Sequence, residues 1–337
     1  MTDRPHRFGI VGLGRMGGGL ARHAIEKGFQ LVGLTQGMVP ADLLAAGLQE
    51  IRSPEAFCAA LPERPRIVVL YVPAGLVLDD LLIRLADGAL EPGDVIVDGG
   101  NSYRGDSIRP HERRKAGPRL RFVDLGTSGG IEGARWGACF MAGGEPDAVG
   151  AIAPICQALA VSGGWVHAGP PGAEHFTKLV HNGIEFGTLQ AIAEGFSLLR
   201  RWHHLGSLDI AGTLECWRHG SVIRSWLIDL LAESYRADPT LKKASTYVED
   251  TGEGNWLVKD ALRLETPAPV ITQAVMQLLA SRDANRDWAK AIVMMRHGFG
   301  GHPWGSDEAV ARERREGRVG DVFKPLVALP KDALPPT

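Results

Sequence analysis

Cysteine is scarce in this chain. The four present in 337 residues (Cys58, Cys139, Cys156 and Cys216) show neither CxxC spacing nor an evident pairing. A disulfide framework is therefore not expected, nor is a bound metal; reduced, buried thiols in a cytoplasmic protein are. An excess of charge of one sign is lacking too. With Lys+Arg 37 against Asp+Glu 39 the net charge is -2, so no global field draws in nucleic acid or an anionic membrane. The local basic run Arg109–Lys115 reads as solvated helix surface. Long hydrophobic runs are missing as well: the longest, Ile67 to Ile83, is broken by Pro73, Gly75 and the Asp79-Asp80 pair and does not span a bilayer. Strand-like sequence begins by Phe8, which leaves no signal peptide. No internal repeat is found. What remains is a globular composition, 45% hydrophobic and 23% charged, long enough for two domains.

Short β-branched runs alternate with helix-like segments over the first 165 or so residues. Arg7–Gly12, Gln30–Leu34, Arg66–Val72, Asp94–Asp98 and Arg121–Asp124 read as buried strands, and Arg15–Lys27 as an amphipathic helix. Strands alternating with helices predict parallel βαβ units with both sheet faces covered. The pattern changes after Gly163. Pro170-Pro171-Gly172 is a stop, and Glu174 to about Arg201 follows as one long helix with an apolar face. Further helical segments are expected near 207–219, 222–236, 256–263 and 268–298. The fold class is thus α/β: a doubly wound dinucleotide-binding domain over 1–165, then an all-helical domain over 166–307. A charged, then Pro-rich tail over 308–337 reads as an exposed or partner-draped extension.

Gly12-Leu13-Gly14-Arg15-Met16-Gly17 fits GxGxxG directly after the first strand and at the opening of a helix. Gly12 allows a tight turn, Gly14 lets the backbone approach a pyrophosphate, and Gly17 permits close helix–strand packing; the helix N-terminus faces the phosphates. This is the Rossmann fingerprint. The end of the second strand discriminates NAD from NADP, by an acid on the ribose diol or an Arg on the 2′-phosphate. Here it reads Leu34-Thr35-Gln36-Gly37, with neither. Either cofactor is compatible, and the lack of positive charge favours NAD slightly. Two Gly-rich loops follow strand ends, Asp98-Gly-Gly-Asn101-Ser102 and Gly126-Thr-Ser128-Gly129-Gly130. Such loops line the ligand crevice of an open parallel sheet, where Asn101 and Ser128 offer hydrogen bonds and glycine N–H groups can meet a carboxylate.

Lys178, His181, Asn182 and Glu185 stand at offsets of three, four and seven residues. On a helix these four side chains share an arc of about 100°. A surface Lys–Glu pair and a structural His would also account for the stripe. The flanks Phe176, Leu179, Val180, Ile184 and Phe186 instead predict burial, and a buried Lys can act as a general base near neutral pH.

With these residues assembled, the chain resembles the short-form 6-phosphogluconate dehydrogenases of the β-hydroxyacid dehydrogenase superfamily. Gly12–Gly17, Val97–Ser102, Gly126–Gly130 continuing to Met141–Gly144, Lys178–Glu185, Gly252–Trp256 and Arg296–His302 carry the resemblance in family order. Sister hydroxyacid dehydrogenases tend to carry Asn-Asn where this chain has His181-Asn182. The resemblance implies NAD(P)-dependent oxidative decarboxylation of a sugar acid, first of all 6-phosphogluconate to ribulose 5-phosphate. In it Lys178 takes the C3 hydroxyl proton and later donates to the ketone oxygen, while Glu185 protonates C1 of the enediol. Asn101, Ser128, Gly129, Gly130, His181 and Asn182 would hold the carboxylate and hydroxyls. Gly12 to Gly17, Thr35, Gln36, Val72 and Asn101 would hold the cofactor. It also implies a cytoplasmic homodimer in which Arg296 and His302 of one subunit complete the other's site.

Three positions differ from the family's phosphate grip. Phe186 replaces a Tyr, Thr251 a Lys of long-form members and Gln277 an Arg. The phosphate would then fall to Arg296, with Arg282 or His297 compensating. Open alternatives are a decarboxylating dehydrogenase of an unphosphorylated sugar acid, a non-decarboxylating 3-hydroxyacid dehydrogenase or reductase, and an inactive dinucleotide-binding sensor.

Overall fold

The computed structural model describes residues 7–86, 90–100, 120–202, 207–250, 252–308 and 311–312. Asn101, the Arg109–Lys115 run, Thr251 and nearly all of the tail after 308 lie outside the described residues. The chain divides into two compact units, Met1–Asn182 and Gly183–Thr337.

One sheet organises the first unit. Its strands are β1 (Arg7–Val11), β2 (Gln30–Leu34), β3 (Gln49–Glu50), β4 (Ile67–Leu70), β5 (Val95–Asp98), β6 (Arg121–Ser128), β7 (Ala138–Gly144) and β8 (Ala160–Gly169), in the order β3-β2-β1-β4-β5-β6-β7-β8. Helices α1 (Arg15–Glu26), α2 (Ala41–Ala45), α3 (Phe57–Ala60), α4 (Leu76–Arg84), α5 (Gly130–Trp136) and α6 (Pro146–Leu159) connect them. Successive strand side chains point to opposite faces, and both faces are buried here. Phe8, Ile10, Ile67, Val69, Val95, Val97, Val123 and Leu125 join one core with Leu20, Ala24, Ile152 and Leu159 of α1 and α6. Val11, Val68, Leu70, Ile96 and Phe122 join the other with Phe57, Leu78, Leu81 and Leu82 of α3 and α4. Strands dry on both sides read as continuous apolar runs, which is why β1, β2, β4, β5 and β6 are legible from sequence.

The five strands read from sequence pair in parallel, as expected, and one edge adds two strands that were not read. β7 runs antiparallel to β6, from Val123↔Gly144 to Ser128↔Cys139, and β8 then runs parallel to β7. The reason is length. Residues 129–137 between β6 and β7 are fewer than the dozen or so that a parallel crossover requires. The expectation of buried thiols needs correction: Cys156 is buried and Cys58 half-buried, but Cys139 and Cys216 are exposed; none of the four forms a disulfide.

Helix α7 (Ala173–Arg200) begins in the first unit and crosses the division. In the second unit follow α8 (Ile210–Arg218), α9 (Trp226–Ala237), α10 (Glu253–Arg263), α11 (Pro269–Ala280) and α12 (Asp287–Gly300). Their starts follow local chemistry. The Asp209 carboxylate accepts from the Gly212 N–H at 2.8 Å, and the Ser225 hydroxyl accepts from the Ile228 N–H at 3.3 Å. These caps satisfy N–H groups that a helix start leaves unpaired. They also place α8 and α9 later than the apolar pattern suggests. The single helix expected over 268–298 is two helices, broken at Ser281–Arg286, where the Asp283 side chain accepts from the Arg286 N–H at 2.9 Å. Short polar side chains compete with the helical ladder in this way. Among the described residues no helix is long and apolar enough to cross a membrane.

Candidate active site

The strand order reverses at β1, which has β2 on one side and β4 on the other. Ligands of open parallel sheets bind at the carboxyl ends of strands at such a switch point, and Gly12–Gly17 lies there. The Gly12 N–H donates to the Leu34 carbonyl at 2.8 Å, and the Tyr71 N–H to the Val11 carbonyl at 2.8 Å, closing the loop onto its neighbours. Gly12 has φ +89°, and a Cβ on it would collide with the Tyr71 carbonyl oxygen and lie 3.3 Å from Val72 Cγ1. A Cβ on Gly17 would collide with the Gly12 carbonyl oxygen. Gly14, by contrast, opens on free space: among the described residues a Cβ there meets nothing within 4 Å. It is the N-cap of α1, whose first turn holds no acidic residue and whose N-terminus has no side-chain cap among the described residues. Uncovered N–H groups and a helix dipole facing a cleared volume fit a dinucleotide pyrophosphate.

The neighbouring positions divide by burial. Leu13 is buried in the core and Met16 packs against it, so only their main chains face the loop. Arg15 and Gln36 are exposed and Thr35 half-exposed. Val72 packs against the α3–α4 core and walls the Gly12 turn.

The second Gly-rich loop ends β6. Gly129 (φ +117°) and Gly130 (φ +61°) take left-handed conformations that side chains disfavour. This turn sets Ser128 at the strand end, where its Oγ lies 3.0 Å from His181 Nε2. His181 Nδ1 lies 3.1 Å from Asn182 Oδ1. An amide oxygen only accepts, so Nδ1 donates to Asn182, while the Ser128 hydroxyl can either donate to Nε2 or accept from it. Ser128, His181 and Asn182, all in the first unit, are thus one hydrogen-bonded chain. Lys178 stands on the same helix one turn earlier and is half-buried, not fully buried.

On α7 Glu185 follows Lys178 by seven residues and is exposed, as are Ile184 and Leu198. The predicted burial of this helix therefore holds for Leu179 and only in part for Phe176, Val180 and Phe186. In the second unit Arg296 is exposed and His302 half-buried, with its ring 5.8 Å from that of Phe299. The proposed compensating groups are engaged elsewhere. The Arg282 guanidinium binds Asp250 at 2.9 Å and lies over Tyr247, 5.5 Å from its ring centroid. His297 Nδ1 donates to the His302 carbonyl at 2.7 Å, and its ring stacks on Trp304.

Sequence reasoning missed a polar group beside this site. Asp98, Asp124, Glu174 and His175 are all buried, and Tyr71, just after β4, bonds Thr127 of β6 at 2.8 Å. The Glu174 carboxyl is pushed well above the usual range, first by burial and then by Asp124 and Asp98, with Lys178 opposing. A signal existed: Asp98 and Asp124 are acids that end or interrupt β-branched runs otherwise dry on both faces.

Comparison with known proteins matches residues 7–169 to the NAD binding domain of 6-phosphogluconate dehydrogenase and residues 174–316 to the 6-phosphogluconate dehydrogenase C-terminal domain. A Bacillus subtilis protein named as a candidate 6-phosphogluconate dehydrogenase is 37% identical over 297 residues, covering 88% of this chain and 98% of the relative. The NAD(+)-dependent, decarboxylating 6-phosphogluconate dehydrogenase of Haloferax volcanii is 35% identical over 301 residues, covering 88% of this chain and 97% of the relative. Among solved structures, Plasmodium falciparum 6-phosphogluconate dehydrogenase superposes with a TM-score of 0.73 at 24% identity. That match covers 89% of this chain and 66% of the longer one.

Proposed function

The chain belongs to the 6-phosphogluconate dehydrogenase family, and from that premise we propose that it oxidatively decarboxylates 6-phosphogluconate to ribulose 5-phosphate and CO2. The observation that carries the reading is the Ser128–His181–Asn182 chain one helical turn from Lys178. A bound NAD(P) supplies the hydride acceptor for C3. The free amine of Lys178 takes the C3 hydroxyl proton as the C3–H bond breaks, and the resulting ammonium then donates to the ketone oxygen. That donation stabilises the charge that develops as the C1–C2 bond breaks and CO2 leaves. Glu185 delivers a proton to C1 of the enediol, completing the pentulose. Ser128 and Asn182 fix the His181 ring, and His181, Gly129, Gly130 and Asn101 would hold the hydroxyls and carboxylate of the substrate.

Gly12 to Gly17 would seat the cofactor pyrophosphate, and Thr35, Gln36, Val72 and Asn101 would hold the rest of the cofactor. The absence of an Arg at Leu34–Gly37 supports NAD over NADP. The working form is a homodimer in which Arg296 and His302 reach the partner's site. In its support, α12 buries no residue in the single chain and exposes Trp288, Met294, Met295 and Phe299. Two exposed free thiols, Cys139 and Cys216, suit a reducing cytoplasm.

One observation favours a second reading, an unphosphorylated sugar acid. Phe186 offers no phosphate ligand, and Arg282 and His297 are already bonded. Comparing kcat/KM for 6-phosphogluconate and gluconate with NAD tests both. The main reading expects the phosphorylated acid to win by at least about tenfold, the effect of one charge-assisted bond. Equal or reversed values would replace it with the second.

A further inference from the structure

Asp98 at the end of β5, Asp124 in β6, and Glu174 and His175 at the start of α7 meet inside the first unit, and none is needed for the proton transfers above. All four are buried. Two of the acids are well supplied. Asp124 Oδ1 accepts from the Gly172 N–H at 2.9 Å, and its Oδ2 from the N–H groups of Glu174 at 2.9 Å and His175 at 3.3 Å. Asp98 Oδ1 accepts from the Gly100 N–H at 3.0 Å. Glu174 differs, because neither of its oxygens has a hydrogen-bond partner among the described residues. Protonation alone does not cure this, since the new O–H would need an acceptor in its turn.

The spacing suggests what does. His175 Nε2 lies 3.4 Å from Glu174 Oε2 and 3.9 Å from Asp98 Oδ2. Both are long for hydrogen bonds. Two ligands each about 2.0–2.1 Å from one tetrahedral cation stand roughly 3.3 Å apart, close to the His175–Glu174 separation. One ligand atom from each of Asp124, Glu174 and His175 lies within 4.8 Å of the others. The charge points the same way: three buried carboxylates face one imidazole, with Lys178 a turn further along α7. Buried charges are paired or bind metal. The backbone makes room, as a Cβ on Gly126 would collide with Glu174 Oε1 and one on Gly143 with Asp124 Oδ2. The N–H groups on Asp124 would be the outer contacts that orient a metal-binding carboxylate.

We infer that Asp124, Glu174 and His175 bind one divalent transition-metal cation through oxygen and nitrogen, with Asp98 beside His175 as an outer carboxylate. Such an ion ties β6 to the first turn of the helix that carries Lys178 and His181. Elemental analysis of the full chain, purified without a histidine tag or chelator, should find about one zinc or manganese per chain. After stripping, Zn²⁺ should raise Tm and Co²⁺ should give the visible absorption of a four-coordinate site. Glu174→Gln should bind Zn²⁺ at least about tenfold more weakly and lose the Tm response, whereas His219→Gln, at an exposed histidine, should keep both. No metal as isolated together with no saturable uptake of Zn²⁺, Mn²⁺ or Co²⁺ overturns the inference, as does undiminished uptake by folded Glu174→Gln. If Glu174→Gln does not fold, the wild-type metal content and titration decide.

Discussion

At Gly14 the backbone is extended, with φ −71° and ψ −158°, a conformation open to any L-residue, and a Cβ built there meets no described protein atom within 4 Å. Gly14→Ala should therefore leave the fold intact. It should even raise stability by about 0.4–1 kcal/mol, because alanine restricts the unfolded chain. The added methyl nonetheless occupies the volume through which a pyrophosphate would approach the first N–H groups of α1. Losing one hydrogen bond to a charged group costs about 1.5–3 kcal/mol, which is roughly a 10- to 150-fold weaker Kd. Gly17→Ala provides the contrast, since its Cβ would collide with the Gly12 carbonyl oxygen. That overpacking should cost about 1–3 kcal/mol of stability or more. Calorimetric titration with NADH beside thermal melts reads both effects. The loop assignment fails if Gly14→Ala binds NADH like wild type, and the packing argument fails if it melts much earlier.

Two further outcomes are expected. His23 is buried on α1, and burial, then Lys27 and Arg135, hold its imidazole below the usual value. The unfolded chain therefore takes up this proton first, so the contribution of a neutral His23 is complete above about pH 6.5 and is lost as pH falls through the lower folded value. Thermal melts of His23→Leu across that range should show a shallower acid slope than wild type; an unchanged slope would remove His23 as its source. Sedimentation equilibrium should give twice the 36.2 kDa chain mass, and Phe299→Glu with Met295→Glu on α12 should shift it towards the monomer. A wild-type monomer would remove Arg296 and His302 from the partner's site.

The parts of this fold visible in sequence are those fixed by local chemistry. Gly12, Gly14 and Gly17 mark a turn whose geometry depends on a few residues, and the runs around Ile10, Val68 and Ile96 declare strands dry on both faces. β7 and β8 escaped because Ala138–Gly144 and Ala160–Gly169 are rich in glycine and alanine, and their pairing direction depends on connection length. The stripe from Lys178 to Glu185 was legible from helical spacing, whereas its exposure was not. Apolar flanks such as Ile184 predict burial without saying which surface supplies it. Glu174 was hidden for the opposite reason: a lone acid at a helix start reads as a solvated first-turn residue, and only the folded sheet brings Asp98 and Asp124 to it.

On the proposed reading, helix α7 carries both the base, Lys178, and the acid, Glu185, of an oxidative decarboxylation. Its most direct test follows 6-phosphogluconate labelled with ¹³C at C1, recording labelled CO2 and NADH together. The two should appear in equal amounts for the wild type, and both should be lost in Lys178→Ala. NADH without labelled CO2, or full turnover by Lys178→Ala, would contradict that reading.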